Sequence, residues 1–295
     1  MAKVYYSKEI SPEALMRVYE ALGVKLTGKV GVKVSTGERG AKGYLKADLI
    51  GPFVKALNGT IVECNTAYPG LNARGETSEH MKVAEEHGFT SIAKVDIMDA
   101  EGEMKIPFER GKHLKYDLVG SHFDDYDAYV NLAHGKGHVA GGFGANLKNQ
   151  SIGFASRNGK AYIHSCGKTE DPVECWTVEY EQIDFIESMA EAATAVSDYL
   201  KEKGRMIVYI TVMNALSVGC DCEARQGDPV MEDLGILASL DPVANDQAFI
   251  DMIWASRDPG AVELKERIDS RLGREILPYA EKLGLGSRKY ELVEV

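Results

Sequence analysis

A chain of 295 residues that is 44% hydrophobic and 27% charged can build one large core or two coupled domains, which excludes a disordered or fibrous protein. Lys and Arg number 34 against 45 Asp and Glu, a net charge of −11, so neither nucleic acid nor an anionic membrane surface is expected as a partner, and an anionic substrate needs a local basic pocket. The opening MAKVYYSKEI has no basic stretch followed by an apolar one, and no window approaches the ~18 consecutive apolar residues of a membrane span, so the expected location is the cytoplasm.

Val4 to Ser7 reads as a first strand, and Pro12 to Leu22 has helical apolar spacing, with Ser11 as N-cap and Pro12 at the first helical position. Val30 to Val34 and Thr60 to Cys64 read as short buried strands separated by a helix over Ala47 to Leu57. Thr77 to Glu86 is a third helix capped by Thr77 or Ser78. This alternation predicts an α/β fold with mainly parallel or mixed sheets flanked by helices. Strands are expected at Met104 to Phe108, Tyr116 to Ser121 and Tyr129 to Ala133, and the acidic run from His122 to Tyr126 reads as a solvated turn. Ser151 to Ser165 fits neither period cleanly. Phe185 to Lys203 is a helix stopped by Gly204, and Met206 to Met213 is an almost continuous apolar strand of the kind buried on both faces. Gly235 to Leu240 is a further strand, after which Asp241 and Pro242 supply the N-cap and first-turn proline of a helix through Ala255. No linker or repeat marks a boundary. The reading is a single α/β unit over 1–295, with a division into two coupled lobes near 120–180 left open.

Five cysteines without an export signal argue against a disulfide framework. Cys64 stands alone, Cys166 and Cys175 follow His164, and Cys220 and Cys222 form a C-x-C in VGCDCEARQGDP. These spacings match neither zinc ribbons nor bacterial ferredoxins. Two readings of the C-x-C stay open. The pair can be compact buried residues at a strand end. Alternatively, side chains two apart in extended backbone point the same way, so two thiolates can face one soft metal such as nickel, zinc or an iron–sulfur cluster, with Asp221 facing away.

Of seven histidines, His134, His138 and His164 all fall between Asn131 and Ser165, among glycines 135, 137, 141, 142 and 144. Glycine-lined loops bring backbone close to ligands, which makes this stretch the first candidate for chemistry. His138, Lys148 and His164 are too far apart in sequence to share one helical face, so only the fold can bring them together. Ordinary loop residues with ordinary hydrogen bonds remain the alternative. Gly142-x-Gly144 lacks the third glycine of a dinucleotide fingerprint, and Lys148 is not in a phosphate-binding loop. Asp241 and Asp246 read as structural.

The blocks GVKVSTGE (31–38), ECNTAYPG (63–70), HGKGHVAGGFGANLKNQSIGFASRNGKAYIHS (134–165), CDCEARQGDP (220–229) and GILASLDPVANDQA (235–248) resemble the bacterial and archaeal family of domain of unknown function 362, whose members are often labelled iron–sulfur center proteins. Many members carry a ferredoxin-like insert after the block ending here at Ser165; this chain has only Cys166 and Cys175 there, so the insert's clusters are expected to be absent. More distantly, His138, Ala140-Gly141-Gly142, Lys148 and His164 resemble the motif of the nickel-dependent lactate racemases. That resemblance implies Lys148 as tether of a nickel pincer nucleotide, His164 as a nickel ligand and His138 as an acid/base, with the second catalytic histidine corresponding most nearly to His80. That family's aspartate–arginine substrate motif has no clear counterpart.

The expected site therefore has His138, His80 and Lys148 as catalytic residues, and Lys148, Gly141, Gly142, Gly144 and Asn149 around a cofactor. His164, Cys220, Cys222 and Cys166 are the expected metal ligands, and Arg74, Lys33 and His134 the substrate residues. A cofactor would accept hydride while a neutral imidazole takes the hydroxyl proton. The expected function is a metal- or metal-cofactor-dependent enzyme of redox or isomerase type acting on a small anionic substrate such as a hydroxy acid. An iron–sulfur electron-transfer protein using Cys166, Cys175, Cys220 and Cys222, and a non-catalytic small-ligand-binding protein, stay open as alternatives. The subunit number is open, with a homo-oligomer among the options.

Overall fold

The computed structural model describes residues 1–68, 73–224 and 227–295. Strands β1 (Ala2–Ser7), β2 (Val30–Lys33), β3 (Thr60–Glu63) and β4 (Val95–Ile97) alternate with helices α1 (Pro12–Ala21), α2 (Ala47–Ala56), α3 (Thr77–Glu86) and α4 (Phe89–Ile92). Ser11 accepts from the Ala14 amide and so caps α1, with Pro12 at its first position, as the sequence predicts. Helix α3 begins as expected, but its cap is Glu76, with no side-chain cap bond. Thr77 Oγ1 is taken instead by the Asn65 amide at 2.9 Å, so the hydroxyl that would cap the helix ties it to the loop after β3.

A hairpin, β5 (Glu103–Pro107) with β6 (Tyr116–Gly120), precedes β7 (Ala128–His134), and the short pair β8 (Lys136–His138) and β9 (Gly142–Gly144) follows. Helices α5 (Asn146–Phe154) and α6 (Arg157–His164) fill the stretch whose period was unclear. Extended Ala155 separates them, and Ser156 caps α6 by accepting from the Gly159 amide. The long α7 (Gln182–Glu202) leads to β10 (Met206–Met213), β11 (Gly235–Ser239) and α8 (Pro242–Ala255), capped by Asp241 as expected. Helices α9 (Ala261–Ser270) and α10 (Ile276–Lys282) and the strand β12 (Tyr290–Glu294) complete the chain. The run from His122 to Tyr126 lies on the 3₁₀ segment Ser121–Asp125 and an extended Tyr126, and it buries Phe123 and Tyr126, so it is a packed corner rather than a solvated turn.

Eight strands form one mixed sheet in the order β12-β1-β11-β10-β7-β2-β3-β4. It runs parallel from β10 to β4, while β11 is antiparallel to both neighbours. Strands from either side of residues 120–180 pair within it, since β7 joins β2 to β10. Alternation sends successive side chains of β10 to opposite cores: Val208, Ile210 and Val212 pack with α1 and α2, while Met213 packs with α5, α7 and α8. That double coverage explains why β10 reads as a continuous apolar run. The parallel part grows one way from β2 to β3 and β4 and the other way to β7, so the chain reverses direction between β2 and β7. The carboxyl ends on either side of such a switch leave a crevice, and side chains on the loops leaving β2, β3, β7 and β10 converge there. Among the described residues, no helix is long and apolar enough to cross a membrane.

Candidate functional site

At the carboxyl ends of β2 and β3 lies a cavity of about 50 Å³. On that measure a water needs about 10–15 Å³, so the enclosed space suits a ligand of a few heavy atoms. Lys33, Arg74, Lys148 and Lys160 line it together with one carboxylate, Glu63. Lys33 ends β2, and its Nζ donates to the Val34 carbonyl (2.6 Å) and to Asn149 Oδ1 (3.2 Å). Helix α5 can pass over it only because residue 153 is glycine: a Cβ there would stand 2.5 Å from Lys33 Cε. Burial, partly offset by Glu63, pushes the Lys33 ammonium down to about 8. Lys160 donates to the Ala155 carbonyl at 2.6 Å, and burial lowers it too.

Glu63 ends β3 and accepts from Arg74 Nη1 (2.8 Å), from the Thr36 amide (2.9 Å) and from the Thr36 hydroxyl (2.5 Å). His80 Nε2 is 3.1 Å from the same carboxylate, and its Nδ1 faces Asn65 Oδ1 at 3.3 Å. Burial alone would raise Glu63, but Arg74 and His80 hold it well below the usual carboxylate range. Arg74 also has Glu38 at 3.6 Å. His80, expected to be catalytic, is thus fully buried behind Glu63 and off the cavity wall, where its ring meets Glu63 and Asn65.

The C-x-C forms the adjoining wall. The Cys222 thiol donates to Cys220 Sγ at 2.7 Å, Lys148 Nζ is 3.9 Å from Cys220 Sγ, and His138 Nε2 is 3.9 Å from Cys222 Sγ. The Tyr68 hydroxyl lies 3.5 Å from Cys222 Sγ. Burial by itself raises Cys220, yet the Cys222 thiol, Lys148 and His138 outweigh it and hold Cys220 well below the usual thiol range. The bond it gives Cys220, together with burial, keeps Cys222 protonated. Lys148 loses by burial and gains more from the two sulfurs, so it stays an ammonium.

Asp221 points the other way, although the segment is a turn closed by the Glu223 amide on the Cys220 carbonyl at 2.9 Å and not the extended backbone on which that facing was expected. Its carboxylate is 3.0 Å from His134 Nδ1 and 2.9 Å from Lys136 Nζ, and its carbonyl accepts the Glu38 amide at 2.7 Å. His134 Nε2 faces the Asn214 carbonyl at 2.6 Å. Both ring nitrogens are therefore committed, and His134 anchors the C-x-C turn instead of meeting substrate.

His164, at the end of α6, lines the cavity and stacks on Phe185 at 4.8 Å, with Trp176 at 4.9 Å on another side. Its Nδ1 is buried with no hydrogen-bond partner among the described residues. Burial, with the charges of His138, Lys148 and Lys160, pushes this imidazole down to about 3, so at neutral pH it is a lone-pair donor and a poor proton store.

Among the described residues, two groups have the spacing of metal ligands: His138, Cys220 and Cys222 at the cavity, and His113, Asp184 and Glu187 nearer the surface. The second group is already paired, since Glu187 takes His113 Nε2 at 2.7 Å and Lys112 at 2.6 Å. Cys166 and Cys175 belong to neither group, and burial raises both thiols to about 11. Glycines 141, 142 and 144 stand off the cavity wall too. Gly142, at φ +79°, lets the β8–β9 hairpin sit against Gly273, where a Cβ would approach within 2.9 Å. Gly141 contributes its amide, which donates to His138 Nδ1 at 2.8 Å.

Two thiolates and one imidazole are a soft donor set suited to nickel or zinc, and three protein ligands leave a coordination position for substrate. At metal–sulfur distances of about 2.3 Å the two sulfurs would open to roughly 3.8 Å, about 1 Å beyond their present separation. The Gly141 amide on Nδ1 leaves the ring proton at Nε2, so metal binding there displaces a proton. A nucleotide tethered to Lys148 does not fit the site as folded. Lys148 is an ammonium held against Cys220, and the enclosed volume falls far below the roughly 300–1,000 Å³ of ordinary ligand pockets.

Glu63, Tyr68, Lys160, Trp176 and Asp221 were not expected in the site. One signal was available: Lys160 and His164 are four residues apart, on one face once α6 is read as a helix.

A search among curated proteins finds no match. Among solved structures, the fold resembles the lactate racemase apoprotein from Thermoanaerobacterium thermosaccharolyticum, with a TM-score of 0.47 and 11% identity over 86% of this chain and 57% of that one. It also resembles the crystal structure of a protein from Thermotoga maritima, with a TM-score of 0.44 and 12% identity over 92% and 61% of the two chains. The chain spans less than two thirds of the length of either structure. Its own family is the one described as Domain of unknown function (DUF362), whose profile matches residues 30–251, three quarters of the chain including every strand and loop that builds the cavity, and to which this protein belongs.

Proposed function

We propose that this protein is a metal-dependent enzyme of isomerase or redox type acting on a small anion, with a 2-hydroxy acid as the class named by the resemblance of His138, Lys148 and His164 to the nickel-dependent racemases. The observation that carries the reading is the junction of His138, Cys220 and Cys222 with a cavity lined by three buried cations and the half-buried Lys148. With Lys148 set against Cys220 and one carboxylate, Glu63, on the wall, burying the remaining cations is costly unless a further anion joins them. Arg74 is committed to Glu63 and Glu38, which leaves Lys33 and Lys160 as the ammonium groups that meet a carboxylate ligand. His164 contributes a neutral imidazole, as a metal donor or as the acceptor of a substrate hydroxyl hydrogen bond. Trp176, whose indole Nε1 donates to the Ala67 carbonyl at 3.3 Å, covers the cavity and keeps water out. A bound metal would supply Lewis acidity at the open position, and the chain's residues orient the anion beneath it.

Anaerobic purification followed by elemental analysis tests the metal, and incorporation of deuterium at the α-carbon of 2-hydroxy acids in heavy water tests the chemistry. One soft metal ion per chain and exchange that is lost in a Cys220→Ser, Cys222→Ser variant are expected. Reduced protein that neither retains nor takes up metal overturns the reading.

A further inference from the structure

We propose that Cys220 and Cys222 are a redox-active dithiol that closes to a disulfide when a peroxide enters the cavity, and that closure withdraws both sulfurs from metal binding. The inference goes beyond the metal reading and stands on the geometry of the turn. The sulfurs are 2.7 Å apart, against about 2.05 Å in a disulfide, so bond formation needs a small movement of side chains already facing each other. Asp221 enforces this facing. Anchored to His134, Lys136 and the Glu38 amide, it pins the middle residue of the turn to one side and sends both neighbours to the other.

The two sulfurs differ in access and in partners, as an attacking and a resolving thiol must. Cys222 is partly exposed and lines the cavity, whereas Cys220 is 2% exposed and lies against Lys148. The shared proton rests on Cys222; in the less populated form that places it on Cys220, the Cys222 thiolate, which faces the cavity, attacks one peroxide oxygen. The O–O bond breaks, Cys222 becomes a sulfenic acid, and the departing hydroxide takes a proton from Lys148 to leave as water. Cys220 then attacks Cys222 Sγ. The S–O bond breaks, the S–S bond forms, and the hydroxyl leaves as water with the Cys220 proton. Two electrons pass from the sulfur pair to the peroxide, which ends as two waters. The other cysteines lack a paired sulfur: Cys64 lines the same cavity but its raised thiol donates to the Phe154 carbonyl, and Cys166 and Cys175 are buried with raised thiols.

The test uses the full chain, reduced, treated with chelator and then with one equivalent of hydrogen peroxide, read by intact mass and by mapping the peptide that follows Arg205. Expected are the loss of two hydrogens, a Cys220–Cys222 link reversed by dithiothreitol, continued alkylation of Cys64, Cys166 and Cys175 after denaturation, and loss of metal uptake until reduction. In Cys220→Ser the reaction stops at a Cys222 sulfenic acid that dimedone traps. Peroxide that leaves both thiols alkylatable, carries either to sulfinic acid, or joins one to a different cysteine overturns the proposal, and a disulfide form that still binds metal overturns the withdrawal. The wild-type mass decides the matter even if the variant fails to fold. Disulfide formation in a chain that never takes up metal defeats the proposed function alone, and metal uptake without a disulfide defeats this inference alone.

Discussion

The two sides of the 220–222 turn carry similar chemistry and opposite accounts of it. On one side His134, Asp221 and Lys136 form a buried trio in which the carboxylate meets the imidazole and the ammonium and the second imidazole nitrogen meets a carbonyl. On the other, His138, Cys220 and Cys222 converge beside a cavity that Cys222 lines. A buried charge network with every partner present stabilises and orients, whereas thiols and an imidazole beside a cavity can still take a further ligand. The same three-residue turn thus ties its middle residue into the framework and turns its two sulfurs toward the cavity side.

The largest expected effect comes from breaking the closed side. Asp221→Ala leaves His134 and Lys136 buried without their carboxylate and should cost about 3–5 kcal/mol, read by urea unfolding. A loss within the error of the measurement would show that the trio does not anchor the turn. A second contrast of closed and open groups lies elsewhere in the core. Asp246 accepts the Asn146 and Leu147 amides at the start of α5, whereas Asp117 bonds the Leu118 amide and its Oδ2 has no partner among the described residues. Burial raises both to about 7. A folded-state value above the unfolded one means that their contribution is fully present below the ordinary carboxylate range and is lost as pH rises through 7. Stability should therefore fall between about pH 4 and 7 by roughly 4 kcal/mol per group at most. Asp117→Asn should flatten that fall, and an unchanged pH profile would remove Asp117 from it.

Opening the other side should cost less stability. His138→Ala should weaken metal binding by at least the roughly 10–100-fold that outer-sphere partners cost, measured by competition with a chelator, while the Gly141 amide it orphans costs about 1–3 kcal/mol by urea unfolding. Equal metal affinity in the variant would leave the thiols as the whole site. The smallest effect belongs to the cavity's cations. Lys160→Met removes one charge-assisted bond to a bound carboxylate and should weaken a 2-hydroxy acid about tenfold by calorimetry, while the fold gains from losing a buried ammonium.

Much of the frame was readable from local pattern. Ser11-Pro12 and Asp241-Pro242 marked helix starts because caps and first-turn prolines act within one turn. The apolar run of β10 announced a strand covered on both faces. Ser151 to Ser165 resisted because extended Ala155 ends one helix and Ser156 caps the next, and no single period spans the break. β12 passed unnoticed because what holds it is pairing beside β1, at the other end of the chain. Of the candidate site, His164, Lys33, Lys148, Asn149, Arg74 and Cys222 do line one cavity, while His80, His134, Cys166 and the glycines serve the framework around it.

By itself, the sequence determined the α/β alternation and the odd cysteine inventory, because each depends on residue types and on neighbours within a few positions. Tertiary structure alone decided which histidine is free and which is bound. His134 and His138 sit four apart in the same glycine-rich stretch, yet the first is closed off by Asp221 and Asn214 and the second faces the sulfurs. Their partners arrive from the loop after β10, at least 80 residues along the chain, and only the pairing of β7 with β10 brings that loop within reach.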